Sequence, residues 1–192
     1  MVHGEVEVLA FGSMMAWHEW LTTESERSPG VWLKIAKKEA SAPTVTYQEA
    51  LEVALCFGWI DGQKRGLDDT HWLQRFTPRK QGSKWSRINT QKADALIAAG
   101  RMEPAGMREV ERAKADGRWD QAYAGQRDAT VPDDLRQALD ANAAAREFFE
   151  TLSGANRYSI LYRIGAVKRP ETRARKIAQY VQMLAEHKTI YP

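Results

Sequence analysis

Proline and glycine divide the second half of this chain into short helical segments, and this pattern constrains the fold most strongly. From Asn89 onward the apolar residues recur at helical spacing, glycines follow the last turn of a segment, and prolines begin the next one. The pattern predicts helices over 90–99, from Pro104 to Gly117, from Pro132, over 143–151 and 156–166, and over 170–187. The strands of any sheet are therefore expected in the first half of the chain.

Strand patterns do occur in that first half. Residues 5–11 alternate glutamate with valine before turning apolar, which is typical of a short strand. Residues 59–65 and 71–76 flank the turn-forming sequence GLDDT, which predicts an antiparallel hairpin. The segment VWLKIAKK after Pro29 is interpreted as helical, although its alternation also fits a strand.

Two helix starts in the first half carry capping patterns. Ser13 can cap a helix that runs to about Glu24. Thr46 and Glu49 form a capping-box pattern, because each side chain can bond to a free backbone amide at the start of the next helix. We therefore predict an α+β fold, mainly helical, with a small antiparallel β-sheet in the N-terminal half and an all-helical C-terminal part.

The same patterns predict how the chain is organised. A mixed α/β core over residues 1–128 includes the β-hairpin 59–76 and a basic loop over 77–88, and a C-terminal helical subdomain follows over 129–192. We expect both parts to form one compact domain, since a chain of 192 residues hides about 70% of its surface on folding.

Composition excludes several classes of protein. Cys56 is the only cysteine, so the chain has neither a disulfide framework nor a multi-cysteine metal site. Its apolar runs are far shorter than the roughly 20 residues of a membrane-spanning helix. The first residues, MVHGEVEVLAFGS, lack the long apolar core of a signal peptide, and phosphate-binding glycine motifs and paired-histidine metal motifs are missing. We expect a cytoplasmic protein without a metal or a cofactor.

Positive charge is concentrated in one stretch of the sequence. Between Ile60 and Lys92 there are eight cations and three acids, whereas the rest of the chain holds 20 cations and 22 acids. Within this stretch the sequence FTPRKQGSKWSR interleaves cations with aromatic residues, as surfaces that bind single-stranded nucleic acids or nucleotides do. The alternative is that its tryptophans face the core while its cations point into water. The candidate anion-binding residues are Arg79, Lys80, Trp85, Arg87 and Trp59.

Asp61 is the one candidate for a catalytic residue. It directly follows the apolar pair Trp59-Ile60 in a predicted strand, so its carboxylate is expected to be half-buried. Such a carboxylate can act as a general acid or base, or it can pair with a cation such as Arg79. Pairing is the commoner outcome, because an unpaired buried carboxylate is costly.

Six blocks of sequence, taken in order, resemble the YdeI/OmpD-associated family, whose members are also labelled bacteriocin-protection proteins. The blocks are ALCFGWIDG (54–62), LDDTHWLQRFTPRK (67–80), SKWSRIN (83–89), LIAAGRMEPAG (96–106), AKADGRWDQAY (113–123) and KRPETRARKIA (168–178). The resemblance implies protection against bacteriocins or cationic antimicrobial peptides and association with an outer-membrane porin. Those labels also imply an envelope location, whereas the start of this sequence favours the cytoplasm.

Three hypotheses about function remain open. The resemblance favours a non-catalytic stress or bacteriocin-protection protein that acts through an anion- or partner-binding surface, its ligand or protein partner being unidentified. A second hypothesis is a nucleotide or nucleic-acid binding protein that uses the basic-aromatic loop. A third is a small-molecule enzyme with Asp61 as acid/base and Arg79 as the group that holds an anion.

Overall fold

The structure is a computed structural model that describes residues 6–38, 40 and 43–192. The chain divides into two compact units, Met1–Ala122 (unit 1) and Tyr123–Pro192 (unit 2). Unit 1 contains β1 (Val8–Leu9), α1 (Met14–Glu24), β2 (Val31–Ala36), α2 (Tyr47–Cys56), β3 (Trp59–Gly66), β4 (His71–Pro78), α3 (Arg87–Ala98) and α4 (Pro104–Ala115). Unit 2 contains α5 (Asp133–Asp140), α6 (Ala143–Thr151), α7 (Gly154–Gly165) and α8 (Pro170–Ala185). The predicted α+β class is confirmed.

The sheet of unit 1 is mixed, so the prediction of a purely antiparallel sheet was wrong in one respect. Its strand order is β1-β2-β4-β3, and the two pairs that involve β4 are antiparallel, as predicted for the hairpin. β1 pairs with β2 in parallel, since α1 lies between them in the chain and supplies the crossover that parallel neighbours need. Residue 5 of the predicted strand 5–11 lies outside the described residues.

The segment VWLKIAKK forms strand β2, so its interpretation as a helix was wrong. β4 pairs with β2 along the whole length of β2, and the alternating pattern of the segment fits this pairing. Val31, Leu33 and Ile35 point into the core, and the residues between them, Trp32 and Lys34, belong to the opposite face of the sheet. We call this opposite face the outer face of the sheet.

Two of the predicted helix caps are observed, and two predicted helices start earlier than expected, α3 at Arg87 and α7 at Gly154. The Ser13 cap and the capping box of Thr46 and Glu49 are both present. The helix expected to start after Asn89 begins earlier, at Arg87, because the hydroxyl of Ser86 accepts a hydrogen bond from the Asn89 backbone amide and caps α3 instead.

Each unit has its own apolar core. In unit 1, residues of α1 to α4 and of one face of the sheet form the core, and the largest fully buried side chains there are Trp17, Trp59, Trp85 and Phe76. In unit 2 the core lies among α5 to α8, around Leu135, Phe149, Ile160, Ile164 and Leu184. α4 approaches α2 so closely at Gly106 that a Cβ there would overlap the carbonyl oxygen of Cys56.

Candidate functional site

The basic loop that follows β4 is held in place by its own first arginine. The backbone amide of Arg79 donates a hydrogen bond to the Gly58 carbonyl oxygen (3.0 Å), and its guanidinium lies 3.5 Å from the centre of the Trp85 ring. Nη1 of the same group donates to the carbonyl oxygen of Lys84 (3.2 Å). Arg79 is only 6% exposed, so it acts from beneath the loop rather than on its surface.

A second arginine supports the loop from the segment after α4. Nη1 of Arg118 donates to the carbonyl oxygen of Ser83 at 2.7 Å, and its Nε donates to the carboxylate of Asp116 at 2.8 Å. Trp119, the next residue, packs on Trp85 with 4.9 Å between ring centres. The hydrogen bonds from Arg118 lower the pKa of Asp116. Two neighbouring carbonyl groups of the loop are thus held by two positively charged side chains.

The remaining cations of the loop point outward. Lys80, Lys84 and Arg87 are exposed; the two lysines lie between β4 and α3, and Arg87 is the first residue of α3. We call these three residues the basic loop surface. Of the residues predicted to bind an anion, the structure places Lys80 and Arg87 on this surface and Arg79 and Trp85 beneath it.

Trp59 lies elsewhere in unit 1. It is 1% exposed, and its ring packs edge-on against Trp17 and Trp20, with ring centres 6.3 and 6.0 Å away. Its indole nitrogen donates to the backbone carbonyl oxygen of Ser25 at 3.1 Å. Trp59 therefore belongs to the core beside α1.

Asp61 lies two residues further along β3 and is partly buried. One of its carboxylate oxygens accepts a hydrogen bond of 2.9 Å from the Tyr47 hydroxyl at the start of α2. The carboxylate thus accepts a hydrogen bond from Tyr47, whereas the guanidinium of Arg79, the cation suggested as its partner, lies over the Trp85 ring.

A second cluster of cations lies on the outer face of the sheet, and sequence reasoning missed it. The guanidinium of Arg65 stacks 3.6 Å from the centre of the Trp32 ring, and that of Arg75 lies 5.9 Å from it. We call Trp32, Arg65 and Arg75 the outer-face cluster. These residues are far apart in sequence, and the helical interpretation of VWLKIAKK hid the face that Trp32 occupies. The alternation of β2, combined with the hairpin, was the signal that could have revealed the cluster.

The thiol of Cys56 is buried at the end of α2. Burial raises its pKa to about 11, so it is protonated at neutral pH and poorly suited to act as a nucleophile. Among the described residues no group of three His, Cys, Asp or Glu side chains is arranged to hold a metal ion.

Unit 2 carries an open groove of about 810 Å³ between α5 and α8. Its apolar walls consist largely of Ala138, Ala141, Ala174, Ala178, Val181 and Ala185. Asp134 and Arg173 also line it and form an ion pair with Nε and Oδ2 2.5 Å apart. Hydrogen bonds from Arg173 lower the pKa of Asp134. No helix in the described ranges is long and apolar enough to cross a membrane.

Comparison with protein families divides the chain much as the fold does. Residues 9–109 match a family described as "Domain of unknown function (DUF8412)", and residues 128–187 match one described as "Bacteriocin-protection, YdeI or OmpD-Associated". No curated protein and no solved structure shows significant similarity to this chain. The second match confirms the predicted resemblance and contains the block KRPETRARKIA, whereas the four blocks between residues 54 and 106 lie in the first match. The chain thus belongs to the DUF8412 family, whose model matches just over half of its length, and residues 128–187 of unit 2 are similar to the YdeI/OmpD-associated family.

Proposed function

We propose that this chain is a non-catalytic stress or bacteriocin-protection protein that binds an anionic partner through the basic loop surface. The observation that carries the proposal is the support beneath the loop, where Arg79 and Arg118 hold the carbonyl oxygens of Lys84 and Ser83. A loop fixed in this way loses little conformational entropy when a partner binds, so its exposed charges are well suited to recognition.

The geometry favours charge over base stacking at this loop. Stacking of a nucleic-acid base needs an exposed aromatic face, and Trp85 is 1% exposed with Arg79 covering its ring. The exposed cations Lys80 and Arg87 of the basic loop surface suit an acidic protein surface. Nucleotide or nucleic-acid binding stays the alternative.

The role in protection comes from the family description that matches unit 2, and we propose the cytoplasm as its compartment. The enzyme hypothesis depends on a free carboxylate at Asp61. The hydrogen bond from Tyr47 supports a structural role for that carboxylate, since it joins β3 to α2.

Binding is tested with poly-L-glutamate as an acidic polypeptide probe and with single-stranded DNA as a second probe, each over a series of salt concentrations. The double variant Lys80→Gln/Arg87→Gln is compared with Arg146→Gln/Arg175→Gln, which removes the same charge from exposed positions in unit 2. We expect the loop variant to bind poly-L-glutamate about tenfold more weakly than the wild type, and the control to stay within about twofold. Equal losses in both variants would contradict the proposal, and a preference for DNA at equal charge would favour the alternative.

Protection itself is tested by survival. Bacteria that produce the wild-type chain, the loop variant or neither are exposed to a purified bacteriocin. We expect the loop variant to protect less well than the wild type at equal protein levels. Survival that does not depend on the wild-type chain would contradict the assigned role.

A further inference from the structure

We propose a second anion-binding site, independent of the basic loop surface, in which Arg65 and Arg75 of the outer-face cluster bind the phosphate group of a small phosphate monoester. No part of the proposed function uses this site. It lies on the opposite face of the sheet from the core of unit 1.

The sheet register builds the site. Trp32 lies directly opposite Arg75 in the β2–β4 pair, and Leu73 lies opposite Arg65 in the β4–β3 pair, so these side chains share the outer face. Arg65 is exposed and stacks on the Trp32 ring, which leaves Trp32 only 7% exposed. Trp32 therefore acts as a platform that fixes the plane of the Arg65 guanidinium, and its own face is not open to a ligand.

Among the residues that the structure describes, the two guanidinium groups have no acidic partner. Neither forms an ion pair within the described ranges, and Nη1 of Arg75 is buried without a hydrogen-bond partner there. Nη2 of Arg75 makes one long contact of 3.4 Å with the Pro29 carbonyl oxygen. Burial and the positive charge of Arg65 both lower the pKa of Arg75, so an anion placed beside the pair would relieve the repulsion between the two guanidinium groups.

Charge and shape identify the class of ligand. A phosphate monoester carries close to two negative charges at neutral pH, which balances two guanidinium groups, whereas a carboxylate or a phosphodiester carries one. The planar N–H groups of arginine also match two phosphate oxygens at once. Because Trp32 is covered, the site recognises the phosphate and does not need an aromatic group on the ligand.

The binding test follows the indole ¹⁵N–¹H signal of Trp32, which is assigned by its loss in Trp32→Phe. The ligands are inorganic phosphate, glycerol 3-phosphate, dimethyl phosphate and acetate at constant ionic strength. We expect saturable shifts with the first two and binding at least about tenfold weaker with the other two. Binding of glycerol 3-phosphate at least about tenfold weaker than that of inorganic phosphate would identify free phosphate as the ligand, and equal affinity for all four would overturn the proposal.

Variants locate the site. Arg65→Gln, at an exposed position, is expected to weaken phosphate binding by at least about tenfold, and Arg75→Lys by a smaller factor because it keeps the charge and loses the planar donor pair. Arg87→Gln is the matched control, since it removes one exposed charge from the basic loop surface instead and should leave phosphate binding unchanged. Undiminished phosphate binding in Arg65→Gln, or an equal loss in Arg87→Gln, would refute this site. Binding of poly-L-glutamate tests the basic loop surface separately, so the two proposals can fail independently.

Discussion

The support beneath the basic loop gives the sharpest prediction, which concerns Arg118→Gln. The substitution removes the charged hydrogen bond to the Ser83 carbonyl oxygen and the pairing with Asp116. The Arg118 side chain is 17% exposed, so the first of these bonds is worth about 1.5–3 kcal/mol. The pair with the largely exposed Asp116 adds at most about 1 kcal/mol. We expect the free energy of unfolding of unit 1 to fall by about 2 kcal/mol.

Tryptophan fluorescence suits the measurement, because all seven tryptophans lie in unit 1 and urea unfolding followed in this way reports that unit. Hydrogen exchange measures the effect on individual backbone amides. We expect faster exchange of the amides over residues 80–86 and unchanged exchange in the β3–β4 hairpin. Affinity for poly-L-glutamate should fall severalfold, because the loop must then be ordered during binding.

The matched control is Arg108→Gln, which removes the same charge from an exposed ion pair with Glu26 in the same unit. It should change stability by less than about 0.5 kcal/mol and leave loop exchange unaltered. If Arg118→Gln leaves the exchange of residues 80–86 unchanged, or if both variants lose the same affinity, Arg118 does not organise the loop and the reasoning behind the proposed function fails.

Other regions of the molecule give further predictions. Gly106→Ala should lower the free energy of unfolding by about 2 kcal/mol in urea titrations, because the added methyl group meets the Cys56 carbonyl oxygen, and an unchanged value would contradict the close approach. The Cys56 thiol should react with a disulfide reagent at pH 8 at least about 100-fold more slowly in the folded chain than in urea, and comparable rates would show that it is neither buried nor raised in pKa. Asn156→Ala should lower the free energy of unfolding of unit 2, measured by circular dichroism, by about 2–3 kcal/mol, because the side chain accepts hydrogen bonds from the backbone amides of Ile190 and Tyr191. Hydrogen exchange of these two amides should then be faster. Hydrogen bonds from Arg173 lower the pKa of Asp134, so the ion pair stabilises the folded state of unit 2 at neutral pH and this contribution is lost as the pH falls below about 4. Arg173→Gln should therefore make the free energy of unfolding of unit 2 less dependent on pH in the acid range. An identical pH profile in the variant would argue against the pair.

Sequence reasoning placed the elements of the fold better than it placed the candidate site. The hairpin, the helix starts at Ser13 and Thr46, and the proline-initiated helices are where the patterns predicted them. The helix predicted from 90 begins at Arg87 because Ser86, which can also act as a cap, accepts a hydrogen bond from the Asn89 backbone amide.

Differences in burial explain why the candidate site in the structure differs from the one predicted from the sequence. The interleaving of cations and aromatic residues in the basic loop was read correctly as a local pattern, but the pattern does not reveal which side chains meet Trp119 or Arg118 from a later segment. In the structure Arg79 and Trp85 are buried beneath the loop, whereas Lys80 and Arg87 are exposed on its surface.

The sequence by itself determined the α+β class and the all-helical C-terminal part, because caps, helix ends and hairpin turns depend on residues only a few positions apart. Only the tertiary structure decided that β1 runs parallel to β2, that residues 31–36 form a strand, and that the guanidinium groups of Arg65 and Arg75 both lie near the Trp32 ring. Each of these depends on pairing between segments that are distant in the chain, where the partner and its burial, rather than local preference, set the outcome.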